Sequence, residues 1–160
     1  MALKGLLDYL DENEVRYVIL YHSPAYTAQG IAGLAHISGQ ELAKTVIVLL
    51  DGKLVMAVLP AKYNVDLMLL RKRAKAKTVE LAAEKDFQGR FAGCETGAMP
   101  PFGNLFGVPV YAEVTLEKDA VIAFNAGTHR ELIRMSWTDY KRLVQPTMMG
   151  FASGHSAEAA

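Results

Sequence analysis

One cysteine in 160 residues, equal numbers of basic and acidic side chains and no long apolar run: what this chain lacks narrows it first. With Cys94 alone no internal disulfide can form and no four-ligand zinc pattern can be built on cysteine spacing, which fits a reducing cytosol. Seventeen basic and seventeen acidic residues cancel, so binding nucleic acid through an overall positive charge is excluded and only a local basic patch is left. Nowhere do roughly eighteen apolar residues follow one another, and the N-terminus carries Asp8, Asp11 and Glu12 where a signal peptide would be basic. Neither secretion nor a membrane span is expected.

Half the residues are hydrophobic, 51%, against 21% charged, enough for one domain to build a core without staples. Leu3, Leu6, Leu7 and Leu10 recur at helical spacing and predict a helix ending near Asn13. Tyr17 to Tyr21 is a β-branched and aromatic strand, broken by His22-Ser23-Pro24. Thr27 caps a predicted helix with Ile31, Leu34 and Ala35 on one face. Asp51-Gly52 joins two apolar runs, Thr45–Leu50 and Leu54–Leu59, into a hairpin buried on both faces. A helix begins beyond Pro60 and ends in Arg71, Lys72, Arg73, Lys75 and Lys77, and a further helix is predicted from Thr78 through Lys85. Val108 to Val114, Val121 to Phe124 and Glu131 to Met135 read as strands. Trp137 to Val144 is a helix capped by Ser136 or Thr138 and stopped by Pro146. Residues 1–146 are expected to form the domain, with 147–160 a flexible tail that includes His155.

Three clusters carry chemistry. Gly97-Ala98-Met99-Pro100-Pro101-Phe102-Gly103 is too rich in proline and glycine for a helix or central strand and too apolar for a linker. Such a loop can hold a carbonyl, ribose or phosphate with its backbone groups, or it is a tight turn joining two elements. Lys44 stands at the mouth of a buried strand, where an ammonium can meet a phosphate or simply reach water along its stem. Asn125-Ala126-Gly127-Thr128-His129 gathers an amide, a hydroxyl and an imidazole in what is equally an ordinary hairpin turn. A Cys94–His129 nucleophile pair has no spacing signature behind it, and His22, His36 and His129 are too scattered for a metal set. The Arg71-to-Lys77 run, with Arg90 and Arg130 elsewhere, is a candidate RNA-backbone contact or a solvated face.

Taken together, Glu41-Leu42-Ala43-Lys44-Thr45, the Gly97–Gly103 loop and Phe124-Asn125-Ala126-Gly127-Thr128-His129 resemble the YbaK/prolyl-tRNA synthetase-associated editing domain family, over almost all of Leu3 to Pro146. With no synthetase catalytic or anticodon-binding segment adjoining, the chain is similar to the free-standing members. The resemblance implies an α+β domain with a mixed, barrel-like sheet surrounded by helices. It also implies hydrolysis, in trans and in the cytoplasm, of the ester joining a wrong amino acid to tRNA, without metal or other cofactor. By the same resemblance Lys44 would hold the terminal adenosine. Backbone groups of Gly97, Ala98, Met99, Pro100 and Pro101 would orient the carbonyl for attack by a water aided by the free ribose hydroxyl, and His129 would orient the amino group or that water. His22, Tyr26, Thr45, Phe102, Gly103, Asn125, Gly127 and Thr128 are the expected substrate contacts, and Arg71, Lys72, Arg73, Lys75 and Lys77 the tRNA-backbone contacts. Mischarged tRNA is the implied partner, with an aminoacyl-tRNA synthetase as a further candidate. A module that binds the aminoacylated tRNA end without turnover, and a Cys94-dependent hydrolase, are the competing readings.

Overall fold

The computed structural model describes residues 3–21 and 41–153. The predicted helix over Thr27 to Ala35 lies outside the described residues, as do His22, Tyr26, His36 and His155. The chain opens with α1 (Lys4–Glu12), which buries Leu6 and Leu10, then β1 (Tyr17–Tyr21). The hairpin forms as expected, β2 (Ala43–Leu50) against β3 (Lys53–Pro60), with Asp51 and Gly52 at φ 51° and 80°. Both values are positive, as a two-residue turn matched to strand twist requires. After β4 (Asn64–Val65), α2 (Leu67–Ala74) starts under an Asp66 cap that accepts from the Leu69 N–H at 3.0 Å.

Thr78 to Lys85 corrects its prediction. In place of one helix the chain forms β5 (Val79–Leu81) and a single turn, α3 (Glu84–Phe87). The cause is tertiary: the Asp51 carboxylate accepts from the Lys77 and Thr78 N–H groups at 2.8 and 2.9 Å, and this lays the next three residues along the edge of β2. Good helix formers yield to strand pairing there.

β6 (Val110–Glu113), β7 (Val121–Asn125), β8 (Glu131–Ser136) and α4 (Trp137–Val144) follow, the last capped by Ser136, whose hydroxyl accepts from the Asp139 N–H at 3.0 Å. The expected tail does not begin at residue 147. Thr147–Met149 forms β9, parallel to β6, and Ala152–Ser153 forms β10 beside β4. The buried Glu113 carboxylate fastens this segment by accepting from the Phe151 and Ala152 N–H groups at 3.0 and 3.3 Å.

The strands make sheets of order β5-β2-β3-β6-β9, β1-β8-β7 and β10-β4. The first mixes antiparallel with parallel pairs, so the fold is α+β with mixed sheets, and among the described residues they do not close into a barrel. One core cluster joins α1, α4 and the three-stranded sheet to the face of the large sheet that carries Ile47, Met56 and Val58. A second cluster covers the opposite face, where Leu70, Tyr63 and Phe151 pack on Val48, Val55, Ala57 and Leu59. β3 is therefore buried on both sides from Val55 onward, as its apolar run predicts, whereas β2 is only half-buried over Lys44–Val46 and at Leu49 and Leu50.

Candidate functional site

The Gly/Pro loop divides into an exposed half and an anchored half. In the exposed half, Ala98 N–H donates to the Glu95 carbonyl at 3.0 Å and Gly97 holds φ at 84°. A turn with positive φ at its third residue is the type II geometry that glycine satisfies without strain. In the anchored half Ala98 to Gly103 is buried throughout. Phe102 stacks edge-on with Tyr140 at 5.3 Å and tilts against Phe124 at 5.4 Å. The Tyr140 hydroxyl donates to the Pro101 carbonyl at 2.7 Å, and full burial pushes its ionisation far above the usual tyrosine range. A side chain on Gly103 would stand 2.1 Å from the Val108 carbonyl oxygen, so backbone packs directly on backbone there. Phe102 and Gly103, expected as substrate contacts, are thus core residues that hold the loop's far end still.

The exposed turn is laced to the turn between β7 and β8. Glu95 N–H donates to the Gly127 carbonyl at 2.8 Å, and Gly127 N–H donates to the Ala98 carbonyl at 3.0 Å. The Glu95 carboxylate accepts from the His129 N–H at 2.7 Å, and the imidazole Nε2 lies 2.7 Å from the Thr96 carbonyl oxygen. Thr128 closes its own turn by accepting from the Arg130 N–H at 3.2 Å. Asn125 presents an Oδ1 that is buried and bonded to nothing among the described residues.

Beside this unit opens a cavity of about 290 Å³, with Thr45 and Ile47 of β2, the exposed Leu81 of β5, and Phe87, Thr96, Gly97 and Met99 in its wall. A smaller recess of about 100 Å³ adjoins it behind Thr96 and Met99, lined also by Glu84, Phe91 and Cys94. Among the described residues neither the Gly97 nor the Met99 N–H is spent on a protein acceptor. Two backbone donors in a cavity wall suit an oxygen that gains negative charge. The Cys94 thiol, half-buried, is pushed up to about 11 by that burial and stays protonated at neutral pH. That is the wrong direction for a nucleophile. Among the described residues no three His, Cys, Asp or Glu side chains are grouped to hold a metal ion. No described helix is long and apolar enough to cross a membrane.

The sequence-based candidates therefore separate. Thr45, Gly97 and Met99 share the cavity wall, and His129 and Gly127 are tied to the turn that supplies Gly97. Lys44 lies next to Thr45 but, by strand alternation, on the other face of the sheet. There its ammonium donates to Asn64 Oδ1 at 3.4 Å, with its pKa lowered by burial. The basic run from Arg71 to Lys77 ends α2 on that same face, where Leu70 packs, and does not line the cavity. Glu95 and Thr96 are the residues that sequence reasoning missed. Their signal is the offset to Gly97, two residues that any type II turn places before its glycine.

The match to known proteins agrees with this architecture. The chain belongs to the aminoacyl-tRNA editing domain family, whose model matches residues 22–143. Among curated proteins, the Multifunctional Ser/Thr-tRNA deacylase ProXp-y of Escherichia coli strain K12, and its counterpart in O157:H7, are 32% identical over 98 residues. The match takes in 61% of this chain and spans 58% of the length of those relatives. Among solved structures, hypothetical protein APE2540 superposes with a TM-score of 0.82 at 18% identity, over 94% of this chain and 100% of its own. A candidate trans-editing enzyme for prolyl tRNA synthetase superposes with a TM-score of 0.79 at 18% identity, over 94% of each chain. At such identities the two structures speak for the fold.

Proposed function

We propose that this protein is an aminoacyl-tRNA deacylase of the cytosol that hydrolyses the ester between a wrong, small amino acid and the 3′ end of tRNA. The observation that carries the reading is the pair of unspent N–H groups on Gly97 and Met99, two residues that line a cavity and belong to a loop tied down by the 127–129 turn. The ester carbonyl is polarised there, and its tetrahedral oxyanion gains hydrogen bonds that the planar ester makes less well. The attacking water is oriented by the free ribose hydroxyl of the substrate, so no side-chain nucleophile is required and the neutral Cys94 stays a bystander. Holding water, hydroxyl and carbonyl in one geometry is itself a large part of the rate.

Lys44, across the sheet from the cavity, meets a backbone phosphate of the tRNA and not the ester itself. Its bond to Asn64 is at the long end of the range, and a partly desolvated ammonium gains more from a phosphate than a fully hydrated one does. Arg71 to Lys77 meets backbone phosphates further along the acceptor stem. An aminoacyl-tRNA synthetase is the natural supplier of the mischarged substrate. A hydrophobic pocket separates side chains that differ by one methylene by only about 1–3 kcal/mol, so size excludes bulky residues and leaves several small ones competing. Serine and threonine esters head the trial because the similar Escherichia coli protein is named for them.

The test is release of free amino acid from a panel of tRNAs charged with alanine, cysteine, serine, threonine and bulky controls, at catalytic protein concentration. Multiple turnovers on at least one small amino acid and none on the bulky controls are expected. Saturable binding of the charged tRNA end with no release would replace the enzyme by a binding module.

A further inference from the structure

An imidazole nitrogen that faces a carbonyl oxygen can only be the donor, since the carbonyl has no proton to give. His129 Nε2 lies 2.7 Å from the Thr96 carbonyl oxygen, so Nε2 carries the proton and Nδ1 is the bare nitrogen of the neutral ring. The ring rests against Gly97: a β-carbon built on that glycine would lie 3.4 Å from His129 Cε1 and 3.7 Å from Nε2. The backbone of the same residue donates to the Glu95 carboxylate at 2.7 Å, while the Glu95 N–H reaches back to Gly127 at 2.8 Å. Glu95 and Thr96, the two residues before Gly97, are thereby both held by His129, one through its backbone N–H and the other through its side chain. The charged groups bonded to this unit are the Glu95 carboxylate and, through the Thr96 hydroxyl at 3.2 Å, that of Glu84.

We propose that Glu95 and His129 are positioning residues that clasp the Gly97 turn shut and so aim its N–H groups, with the imidazole taking no proton from water or substrate. The inference rests on the deacylase reading for its kinetic arm and stands apart from it for its structural arm. A clasp of this kind needs a donor at the Nε2 position and an acceptor at the Glu95 carboxyl. It does not need a titrating base, because Nε2–H is retained in both the neutral and the protonated ring. Glutamine places its amide nitrogen near the Nε2 position, whereas asparagine reaches only as far as Nδ1. Glu95→Gln keeps an oxygen acceptor, and Glu95→Ala removes it.

The structural arm is nitrogen-15 NMR of the imidazole together with amide exchange. Protonated Nε2 and bare Nδ1 are expected in the neutral ring, with protection of the His129 amide lost in Glu95→Ala and kept in Glu95→Gln. The kinetic arm is deacylation between pH 6 and 9, each variant first shown folded by its circular dichroism melt. His129→Gln is expected within about threefold of wild type with an unchanged pH profile, and His129→Asn at least thirtyfold slower across the whole range. Glu95→Ala is expected about tenfold slower, and Glu95→Gln close to wild type. The clasp is overturned if His129→Gln is as slow as His129→Asn and both lose an acid limb that wild type shows, or if Nδ1 proves to be the protonated nitrogen. A wild type that releases no amino acid from any charged tRNA sinks the deacylase reading, and the NMR and exchange results then decide the clasp alone.

Discussion

The hydroxyl of Tyr140 donates to the carbonyl of Pro101 across 2.7 Å, both groups buried, and ties the last helix to the rigid half of the Gly/Pro loop. Tyr140→Phe leaves that carbonyl without its partner in a space too apolar for the loss to be neutral. A stability loss of about 1–3 kcal/mol is expected, the cost of an unsatisfied buried acceptor. Urea unfolding of the two proteins measures it. At a temperature where the variant remains folded, the deacylation rate should also fall several-fold, because the loop's anchored end has lost one fixed point.

Gly97→Val should be more damaging to activity than Cys94→Ala. A branched side chain at φ 84° is strained whatever space surrounds it, and relief of that strain rotates the turn that presents the donors. Loss of one oriented oxyanion donor typically lowers kcat by about 10²–10³. Cys94→Ala should remain within a few-fold of wild type. The reverse ranking in a single-turnover assay would hand the chemistry to the thiol.

Lys44→Met separates binding from stability. Burial lowers the Lys44 pKa in the folded state, so between the folded and unfolded values the unfolded chain holds more protons, and stability rises with pH through that window. At neutral pH the charge is therefore a burden on the fold, which methionine removes. The variant should be at least as stable as wild type, with its alkaline rise in stability flattened, while deacylation falls by tenfold or more. Melting temperature against pH, measured beside the rate, distinguishes this from a purely structural lysine.

Activity should survive a chelator and decline with salt. The proposed chemistry runs on backbone donors and a ribose hydroxyl, so EDTA has nothing essential to remove. The proposed phosphate contacts from Lys44 and the Arg71–Lys77 run would release counterions, which weakens binding as ionic strength rises. With zero formal net charge the slope of log(kcat/KM) against log salt should be shallow. Loss of activity on chelation that only an added divalent ion restores would bring metal back into the mechanism.

Local signals carried much of the fold, and the places where they failed share a cause. Asp51-Gly52 and the runs on either side announced the central hairpin, and Ser136 with Pro146 bounded the last helix, because each of these is decided within a few residues of sequence. Residues 78–85 misread as one helix because the Asp51 carboxylate that straightens them sits 26 and 27 residues away. The same holds for residues 147–153, whose strand pairs with β6 and whose backbone is held by Glu113, 38 and 39 residues earlier. In the site, glycine and proline mark the loop, yet its exposed part is Glu95 to Gly97, one turn earlier than those residues alone suggest. Glu95 and Thr96 act through backbone and one carboxylate, and nothing in their side-chain pattern advertises that.

Phe151→Ala tests the closing segment directly. Removing a fully buried aromatic side chain from the second core should cost about 3–5 kcal/mol, measured by chemical denaturation. Ending the chain at Pro146 should be worse still.

The lateness of β9 and β10 in the chain also sets when the molecule can first exist during its synthesis. Val48, Val55, Ala57 and Leu59, with Tyr63 and Leu70 on them, are all translated well before Phe151, which completes their cover. A growing chain therefore carries a partly uncovered apolar sheet face until β9 and β10 clear the ribosome. Products that stop short of them lack part of the second core and are material for chaperones and proteases. Every copy that matures has been made at least as far as Ser153, so a check on length is built into the fold itself.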